Sequence, residues 1–212
     1  MTKSFHFCDV KLILPALLAI VIACGGEQKP DSKATTADTA KTVIDGDTFV
    51  LTSGKTVRIV MIDTPEEGQP YCDSARAALA DLVEGQAVRL VPIGRDEDRY
   101  GRLLAEVYVD TLNIGAAMMR SGLARLYLYR DNVRLKSKYL PLQVRAIDNE
   151  TGIWSLPEPE PEDYYIRVAG SYRFHRPLCM NLKRVDTAKM RFVRSRRQAL
   201  LEGYSPCRNC KP

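Results

Sequence analysis

At 212 residues, the chain is long enough for one medium domain or for a medium domain with a small second one. Its 45% hydrophobic and 27% charged residues are ordinary globular values, which exclude disorder throughout the chain. The net charge of +5 is unevenly spread, since residues 164–212 contain 12 Lys and Arg against two Asp and Glu, a net of +10, while residues 24–163 carry a net of −6. A basic segment attached to an acidic body predicts attraction of a polyanion, with a merely solvated basic surface as the alternative.

The N-terminal residues 1–23 are predicted to form a signal peptide. Two lysines precede the apolar run Leu12–Ala23, which is shorter than the roughly 20 residues that span a bilayer as a helix. The sequence Val21-Ile22-Ala23-Cys24 then resembles a bacterial lipoprotein cleavage box, in which the cysteine becomes the lipidated first residue. We therefore expect an exported protein that is lipid-anchored through Cys24 to a bacterial membrane or surface, or a secreted one if Cys24 is incidental.

The next segment, residues 24–40, lacks an apolar period and is predicted to be a flexible tether. From residue 41 onward, β-branched runs alternate with turn signals, and helical spacing enters between them. Strands are predicted at Thr42–Leu51, Thr56–Ile62, Gln86–Ile93, Leu103–Val109 and Ala124–Tyr129, and helices at Asp73–Val83, Asn113–Ser121 and Arg134–Asn149. Five short strands with helical cover predict an α+β domain over residues 41–155, built on a small β-barrel.

Local signals refine these elements. Ser53-Gly54 predicts a hairpin between the first two strands, and Asp73 or Ser74 is placed to cap the first helix. In the last helix, helical spacing puts three apolar residues on one face: Leu140, Val144 and Ile147. Residues 156–163 alternate Pro with acidic residues and predict a stiff, extended linker at a domain boundary.

The acidic and basic residues of the predicted barrel have the types that phosphodiester hydrolysis requires. They occur in four segments: Asp45-Gly46-Asp47-Thr48, Arg58, Asp63-Thr64-Pro65-Glu66 and Asp98-Arg99-Tyr100-Gly101-Arg102. Carboxylates bind hard cations and orient water, and arginines donate planar, paired hydrogen bonds to phosphate. Three of these segments have ordinary alternatives: Asp-Gly-Asp is a frequent turn with the glycine at positive φ, Thr-Pro-Glu is a helix or loop start, and an arginine on a strand is often a surface residue.

In combination, these segments resemble the staphylococcal nuclease family. The resemblance covers residues 41–155 and is carried in order by Val43-Ile44-Asp45-Gly46-Asp47-Thr48, by residues 58–66 and by residues 98–105, with Ile153-Trp154-Ser155 at the close. It implies a five-stranded OB-type barrel with about three helices, and a nuclease that acts on DNA, with RNA left open.

The resemblance also implies roles for individual residues. Asp47 and Asp63 would bind Ca²⁺ together with the backbone carbonyl of Thr64. Glu66 would act as the general base or position the attacking water, and the two arginines that would bind phosphate and stabilise the transition state are Arg58 and Arg102.

Three tyrosines, Tyr100, Tyr127 and Tyr129, fall near positions that line the nucleotide pocket in that family. Aromatic faces there would stack a base with little sequence preference. For Tyr127 and Tyr129 the alternative is an alternating strand with one half-buried tyrosine face.

Beyond the linker, residues 164–212 contain His175, Cys179, Cys207 and Cys210, an H-x3-C…C-x2-C set. One imidazole and three thiolates form a common tetrahedral zinc site, and a metal would substitute for the core that so small a segment lacks. A small zinc-binding module is therefore predicted, with a disulfide, for example one to Cys72, as the alternative.

The segments Phe174–Cys179 and Ala199–Pro212 resemble the zinc module of Ada-type DNA-repair proteins. Here His175 stands where the reactive thiol of that family would be, which argues for a structural site rather than methyl transfer. The whole chain is thus predicted to be a Ca²⁺-dependent endonuclease, monomeric, with a structural Zn²⁺ site. The alternatives are a non-catalytic nucleic-acid-binding OB protein and a surface lipoprotein that binds another polyanion.

Overall fold

The computed structural model describes residues 35–212, so the predicted signal peptide, the lipidation site Cys24 and the first part of the tether lie outside the described residues. The strands are β1 (Thr35–Asp45), β2 (Thr48–Leu51), β3 (Thr56–Ile59), β4 (Met61–Asp63), β5 (Ala87–Glu97), β6 (Leu103–Val109), β7 (Leu112–Asn113), β8 (Arg125–Tyr127), β9 (Tyr165–Val168), β10 (Arg173–His175), β11 (Met190–Val193) and β12 (Ser205–Pro206). The helices are α1 (Cys72–Val83), α2 (Ile114–Arg120), α3 (Lys136–Asp148) and α4 (Arg196–Leu201). Short 3₁₀ turns occur at Val133–Leu135, Gly152–Ser155, Met180–Leu182 and Thr187–Lys189.

Five strands close into a barrel. Their order is β3-β2-β1-β5-β6, and β3 returns to pair with β6 in parallel, while β7 extends the outer side of β6. The centre is filled by apolar side chains of β2, β3, β5 and β6, and α1, α2 and α3 pack on it; Phe49, Val57, Val88, Val107 and Leu79 are fully buried. The predicted α+β fold with a five-stranded OB-type barrel and three covering helices is confirmed.

Two predicted strands are each divided by a sharp turn. The run Thr42–Leu51 folds back at residues 46–47, so that Asp45 of β1 pairs with Thr48 of β2. The run Thr56–Ile62 breaks at Met61, which has a φ of 73°, and β4 leaves the barrel sheet to pair with β8. The first turn coincides with the Asp-Gly-Asp turn signal, whereas the apolar run around Met61 does not reveal its break, because hydrophobic character is the same on both sides of it.

Strand β1 also begins at Thr35, six residues before the predicted start of the domain. Asp38 and Thr39 pair with Val88 and Ala87 of β5, so backbone pairing holds this polar segment in the sheet. The first residues of β1 are therefore held by backbone pairing with β5 and not by a hydrophobic pattern.

Two details of the helices differ from the predictions. Helix α1 begins after Tyr71, which has a φ of 67° and makes no side-chain cap; Asp73 lies inside the first turn and pairs with Arg76 at 3.1 Å. In α3 the buried residues are Tyr139, Gln143 and Ala146, and the predicted apolar face flanks them half-buried. The burial of Gln143 is compensated by hydrogen bonds at both ends of its amide, since it accepts from the Leu126 amide at 2.7 Å and donates to the Leu200 carbonyl at 2.7 Å.

The C-terminal residues form a second sheet with strand order β11-β9-β10-β12 and two small apolar clusters. Residues 157–162 contain neither helix nor strand. The second sheet packs against β8 and its extension: Ser205 Oγ donates to the Leu126 carbonyl at 2.7 Å, and Arg173 Nη1 donates to the Leu128 carbonyl at 3.0 Å. Within the described residues, no helix is both long and apolar enough to cross a membrane.

Candidate active site

The tight turn between β1 and β2 presents Asp47 to one end of the barrel. A Cβ on Gly46 would lie 2.7 Å from Ala75 Cβ and 2.8 Å from Thr64 Cβ, distances that exclude any side chain. Gly46 does not adopt a positive φ, so the ordinary-turn interpretation of Asp-Gly-Asp is wrong on this point. The glycine is required because the turn lies directly against Thr64 and helix α1.

Asp47 is buried, and protein groups surround its carboxylate. Thr48 Oγ1 donates to Oδ1 at 2.9 Å, while Oδ2 accepts from the Thr64 amide and hydroxyl, both at 3.3 Å. Burial raises the pKa of Asp47 to about 7, although the nearby Arg58 guanidinium opposes the rise. The carboxylate is thus held in a fixed orientation in a place where negative charge is poorly solvated.

Arg58 lies between the two aspartates. It is paired with Thr48 across the β2–β3 hairpin, which brings its side chain next to Asp47. Its guanidinium is 2.9 Å from Asp47 Oδ2 and 3.8 Å from Asp63 Oδ1, and it also donates to the Ile59 and Ile62 carbonyls at 2.5 and 2.9 Å. Four such contacts leave this arginine little rotational freedom, so its planar donor group is preorganised.

Asp63, at the end of β4, lies among three guanidinium groups. One is Arg58, and the second is Arg125, which pairs with Asp63 across β4 and β8 and has its Nε 3.9 Å from Asp63 Oδ2. The third is Arg208 of the C-terminal segment, whose Nη2 contacts Asp63 Oδ1 directly. Burial alone would lower the pKa of Arg208, but the Asp63 carboxylate, together with Tyr127 and Glu66, raises it.

Glu66 lies at the solvent side of this cluster. Its side chain is 63% exposed, and its carboxylate forms one ion pair with a described residue, to Arg208 Nη2 at 3.3 Å. The backbone of the loop is held separately, since Gln69 Oε1 accepts from the Glu66 amide at 3.1 Å. An exposed carboxylate beside a buried acid–arginine cluster has access to both water and substrate.

Arg102 is held by its own loop. Its Nε and Nη2 bind Asp98 Oδ2 at 2.8 and 2.7 Å, and Asp98 Oδ1 accepts from the amides of Tyr100 and Arg102. Arg102 directly precedes β6, whose first residue pairs with the neighbour of Arg58 on β3. The Asp98–Arg102 loop therefore ends beside β3, while the Arg102 guanidinium is held by Asp98.

The three predicted substrate tyrosines separate into two places. Tyr100 is 65% exposed on the Asp98–Arg102 loop, with the Arg99 and Arg102 guanidinium groups 4.7 and 5.3 Å from its ring centre. Tyr127 and Tyr129 project from the same side of β8 and its extension, with ring centres 5.1 Å apart in an edge-to-face arrangement.

One face of Tyr127 is already covered. The Arg173 guanidinium lies 3.5 Å from the centre of the Tyr127 ring, and that of Arg208 lies 5.4 Å away. Tyr129 keeps 56% of its surface exposed. Base stacking at these residues stays a prediction, and Tyr129 is the ring with room for it.

The four predicted zinc ligands converge. The nearest ligand atoms of His175, Cys179, Cys207 and Cys210 all lie within 4.8 Å of one another, and the four cysteines that follow β1 are free of disulfides in the described part of the chain. His175 Nδ1 is 3.4 Å from Cys179 Sγ, which is itself 4.0 Å from Cys207 Sγ. These separations suit a tetrahedral ion with bonds of about 2.3 Å to sulfur.

Amide groups support the sulfur atoms of this cluster. The Arg176 amide donates to Cys210 Sγ and the Asn181 side-chain amide donates to Cys207 Sγ, both at 3.4 Å. Donors of this kind stabilise thiolates that serve as metal ligands. The donor set and its surroundings therefore fit Zn²⁺.

The oxygen cluster at the barrel end offers a different chemistry. Asp47 and Asp63 provide carboxylate oxygens, and Thr64 follows Asp63 directly and is buried beside Asp47. Carboxylate and carbonyl oxygens are the hard donors that suit Ca²⁺ or Mg²⁺, and such a cation would share the two carboxylates with the guanidinium groups already paired with them. These residues fit a divalent cation of that class.

Three arginines of the site were not predicted: Arg125, Arg173 and Arg208. Arg125 could have been predicted, because it lies two and four residues before Tyr127 and Tyr129 in one predicted strand, and side chains at that spacing lie on the same face. The other two belong to the C-terminal segment, and nothing in the sequence indicates that this segment contacts the barrel cluster.

Comparison with known proteins agrees with this geometry. Residues 56–156 match the family described as "Staphylococcal nuclease homologue". An "Uncharacterized endonuclease" of Escherichia coli O157:H7 is 39% identical over 124 residues, 56% of this chain and 77% of that protein. The "Micrococcal nuclease" of Shigella flexneri is 34% identical over 130 residues, 56% of this chain and 73% of that protein.

The similarity to "Endonuclease YncB" of Bacillus subtilis is 37% identity over 123 residues, 53% of this chain but 58% of that protein. This chain thus spans little more than half the length of that relative. The similarity to the Escherichia coli protein, in contrast, extends over more than three quarters of its length. The closed barrel, the Asp47–Arg58–Asp63 cluster and these matches together establish that the chain belongs to the staphylococcal nuclease homologue family.

Proposed function

We propose that this protein is a Ca²⁺-dependent phosphodiesterase that cuts DNA internally. The observation that carries the proposal is the cluster of Asp47, Arg58 and Asp63 with the exposed Glu66 at its edge. Family membership supports the same activity, since relatives carry the names endonuclease and micrococcal nuclease.

The residues divide the work of hydrolysis by position. Ca²⁺, when bound by Asp47, Asp63 and the Thr64 carbonyl, would neutralise charge on the scissile phosphate. Glu66 accepts a proton from the attacking water as the water oxygen bonds to phosphorus, the bond from phosphorus to the leaving sugar oxygen breaks, and that oxygen takes up a proton from solvent. Arg58 donates to the phosphate oxygens as negative charge develops on them.

Arg102 would supply the second guanidinium. Its side chain is partly exposed and binds Asp98 within its own loop, so it must exchange this carboxylate for phosphate when substrate arrives. Tyr100, on the same loop, would contact the adjacent nucleotide.

Cleavage of single-stranded DNA with Ca²⁺ and with a chelator tests this function. Glu66→Gln and Arg102→Ala should each lower kcat/KM by at least about 100-fold, the usual effect of losing a general base or a transition-state donor. Glu67→Gln and Arg99→Ala are matched controls, because each removes the same charge one or a few residues away. A wild-type protein that binds DNA but does not cut it would favour the alternative, a non-catalytic OB protein.

We propose that the His175–Cys210 cluster binds structural Zn²⁺, on the support of its four converging ligands and its amide donors. Elemental analysis of purified protein should give one zinc per chain. The Cys210→Ser variant should contain none, whereas Cys72→Ser, which changes a cysteine outside the cluster, should keep it. Zinc content unchanged by Cys210→Ser would contradict the assignment.

We also propose that the protein is exported and anchored by lipid at Cys24, on the support of its N-terminal sequence, and, separately, that it is monomeric. Metabolic labelling with a radioactive fatty acid should mark the wild type and not Cys24→Ser. An unlabelled protein recovered from the medium would indicate the secreted form instead. Light scattering of the purified protein should give the mass of one chain.

A further inference from the structure

The C-terminal segment contributes Arg208 to the barrel cluster. Arg208 lies between Cys207 and Cys210, and its Nη2 contacts both Asp63 Oδ1 and Glu66 Oε1. In the proposed function, Asp63 binds the cation and Glu66 accepts a proton from the attacking water. An arginine more than 140 positions away in the chain is thus part of the same group of charges.

The backbone that carries Arg208 is fixed on the barrel. Three residues earlier, the buried Ser205 Oγ donates to the Leu126 carbonyl of β8, and β12 pairs in parallel with β10. On the other side of Arg208, the Cys210 carbonyl accepts from Arg176 Nε at 3.2 Å. The guanidinium therefore reaches the carboxylates from a fixed platform and not from a free tail.

Among the three arginines around Asp63, Arg208 is the exposed one. Its side chain is 56% exposed, compared with 13% for Arg58 and 22% for Arg125. Arg58 also donates to two backbone carbonyls. Arg208 instead pairs with Asp63 and Glu66, whose carboxylates bind the cation and activate the water in the proposed reaction. Arg208 is thus the member of this trio that can exchange a carboxylate for a phosphate oxygen.

The same segment forms a wall beside Tyr127. Arg173 covers one face of that ring and also donates to the Leu128 carbonyl, while Arg208 lies at 5.4 Å from the ring centre. Two guanidinium groups from the C-terminal segment consequently border the place where the nucleotide pocket is expected. Planar guanidinium groups donate paired hydrogen bonds to phosphate, which a lysine cannot reproduce.

We propose that Arg208 is a phosphate-binding residue of the nuclease site, and that the C-terminal module completes this site rather than only attracting DNA by its charge. The proposal rests on the function proposed above. In the absence of substrate, Asp63 and Glu66 hold the guanidinium in place. With substrate bound, it donates to a phosphodiester of the nucleic acid.

The test compares Arg208→Gln and Arg208→Lys with Arg194→Gln, an exposed arginine of the same module that removes the same charge. On single-stranded DNA with Ca²⁺, Arg208→Gln should lower kcat/KM by at least about tenfold, the lower range for a charged hydrogen bond. Arg208→Lys should recover part of the loss, and Arg194→Gln should stay near wild type. Thermal unfolding of each variant checks that the fold is retained.

A binding measurement gives a second readout without turnover. In a Glu66→Gln background with Ca²⁺, Arg208→Gln should weaken binding of a fluorescein-labelled single-stranded oligonucleotide, while Arg194→Gln should not. Equal losses for the two arginines would reduce the effect to bulk charge and overturn the proposal. An Arg208→Gln enzyme with wild-type or higher kcat/KM and tighter Ca²⁺ binding would also overturn it, because Arg208 would then only restrain the carboxylates.

Failure of this inference can be told apart from failure of the proposed function. If the wild type does not cut DNA under any Ca²⁺ concentration, the proposed function fails, and the oligonucleotide measurement still decides whether Arg208 contacts phosphate. If the wild type cuts DNA and Arg208→Gln and Arg208→Lys cut it equally well, the proposed function stands and the role of Arg208 is refuted.

Discussion

Replacing Gly46 by alanine tests how closely the β1–β2 turn must approach helix α1 and the Asp63–Thr64 segment. The new Cβ would lie 2.7 Å from Ala75 Cβ and 2.8 Å from both Thr64 Cβ and Oγ1. Carbon atoms in contact are normally about 3.5–4.0 Å apart, so the turn and its neighbours must separate by roughly 1 Å. All of the atoms involved belong to short side chains close to the backbone, which cannot rotate away.

The magnitude follows from two separate costs. Overpacking of a well-filled core costs about 1–3 kcal/mol, which should appear as a lower melting temperature. The same displacement moves Asp47 relative to Thr64, whose amide and hydroxyl both bind it. Since a misplacement of about 1 Å at a reacting centre costs on the order of 100-fold in rate, we expect kcat/KM to fall by about that factor.

The assay measures unfolding and cleavage on the same samples. Gly54→Ala is the control, because Gly54 has a φ of 84° and open space around it, in the β2–β3 turn. An alanine there should be destabilising through backbone strain alone and should cut DNA normally when folded. If Gly46→Ala retained the melting temperature and the activity of the wild type, the argument from close approach would be refuted.

Three further predictions concern the support of the fold. Tyr139→Phe should destabilise the protein by about 1–3 kcal/mol in denaturant unfolding, since the buried Glu106 loses a hydrogen-bond donor; an unchanged midpoint would contradict this. Cys207→Ser should abolish zinc binding and lower the melting temperature, and zinc retained at one per chain would refute the proposed ligand set. Ser205→Ala should cost about 1 kcal/mol, because the Leu126 carbonyl loses a buried partner, and equal stability would show that this contact does not hold the module.

The barrel and its acid–arginine cluster could be predicted because their signals are local and ordered. Turn residues, β-branched runs and helical spacing identified most elements, and the resemblance of three motifs placed Asp47, Arg58 and Asp63 in one family pattern. The errors came from breaks inside hydrophobic runs, as at Met61, and from burial decided by hydrogen bonding, as at Gln143. Neither effect changes the hydrophobic pattern from which strands and helices are predicted.

The partners of the site residues depend on tertiary structure. Arg102 binds Asp98 and not the Asp47 cluster, and Tyr127 is covered by Arg173, although sequence spacing suggested neither contact. The four candidate zinc ligands could be listed from the sequence, but their convergence depends on how β10 and β12 pair.

The sequence by itself determined the family, the barrel, the residue types of the cluster and the His-Cys set. Only the tertiary structure decided that the C-terminal segment packs on β8 and directs Arg208 to Asp63 and Glu66. The physical reason is that local patterns report the conformation of neighbouring residues, whereas a contact between distant segments depends on the surfaces that folding has already created.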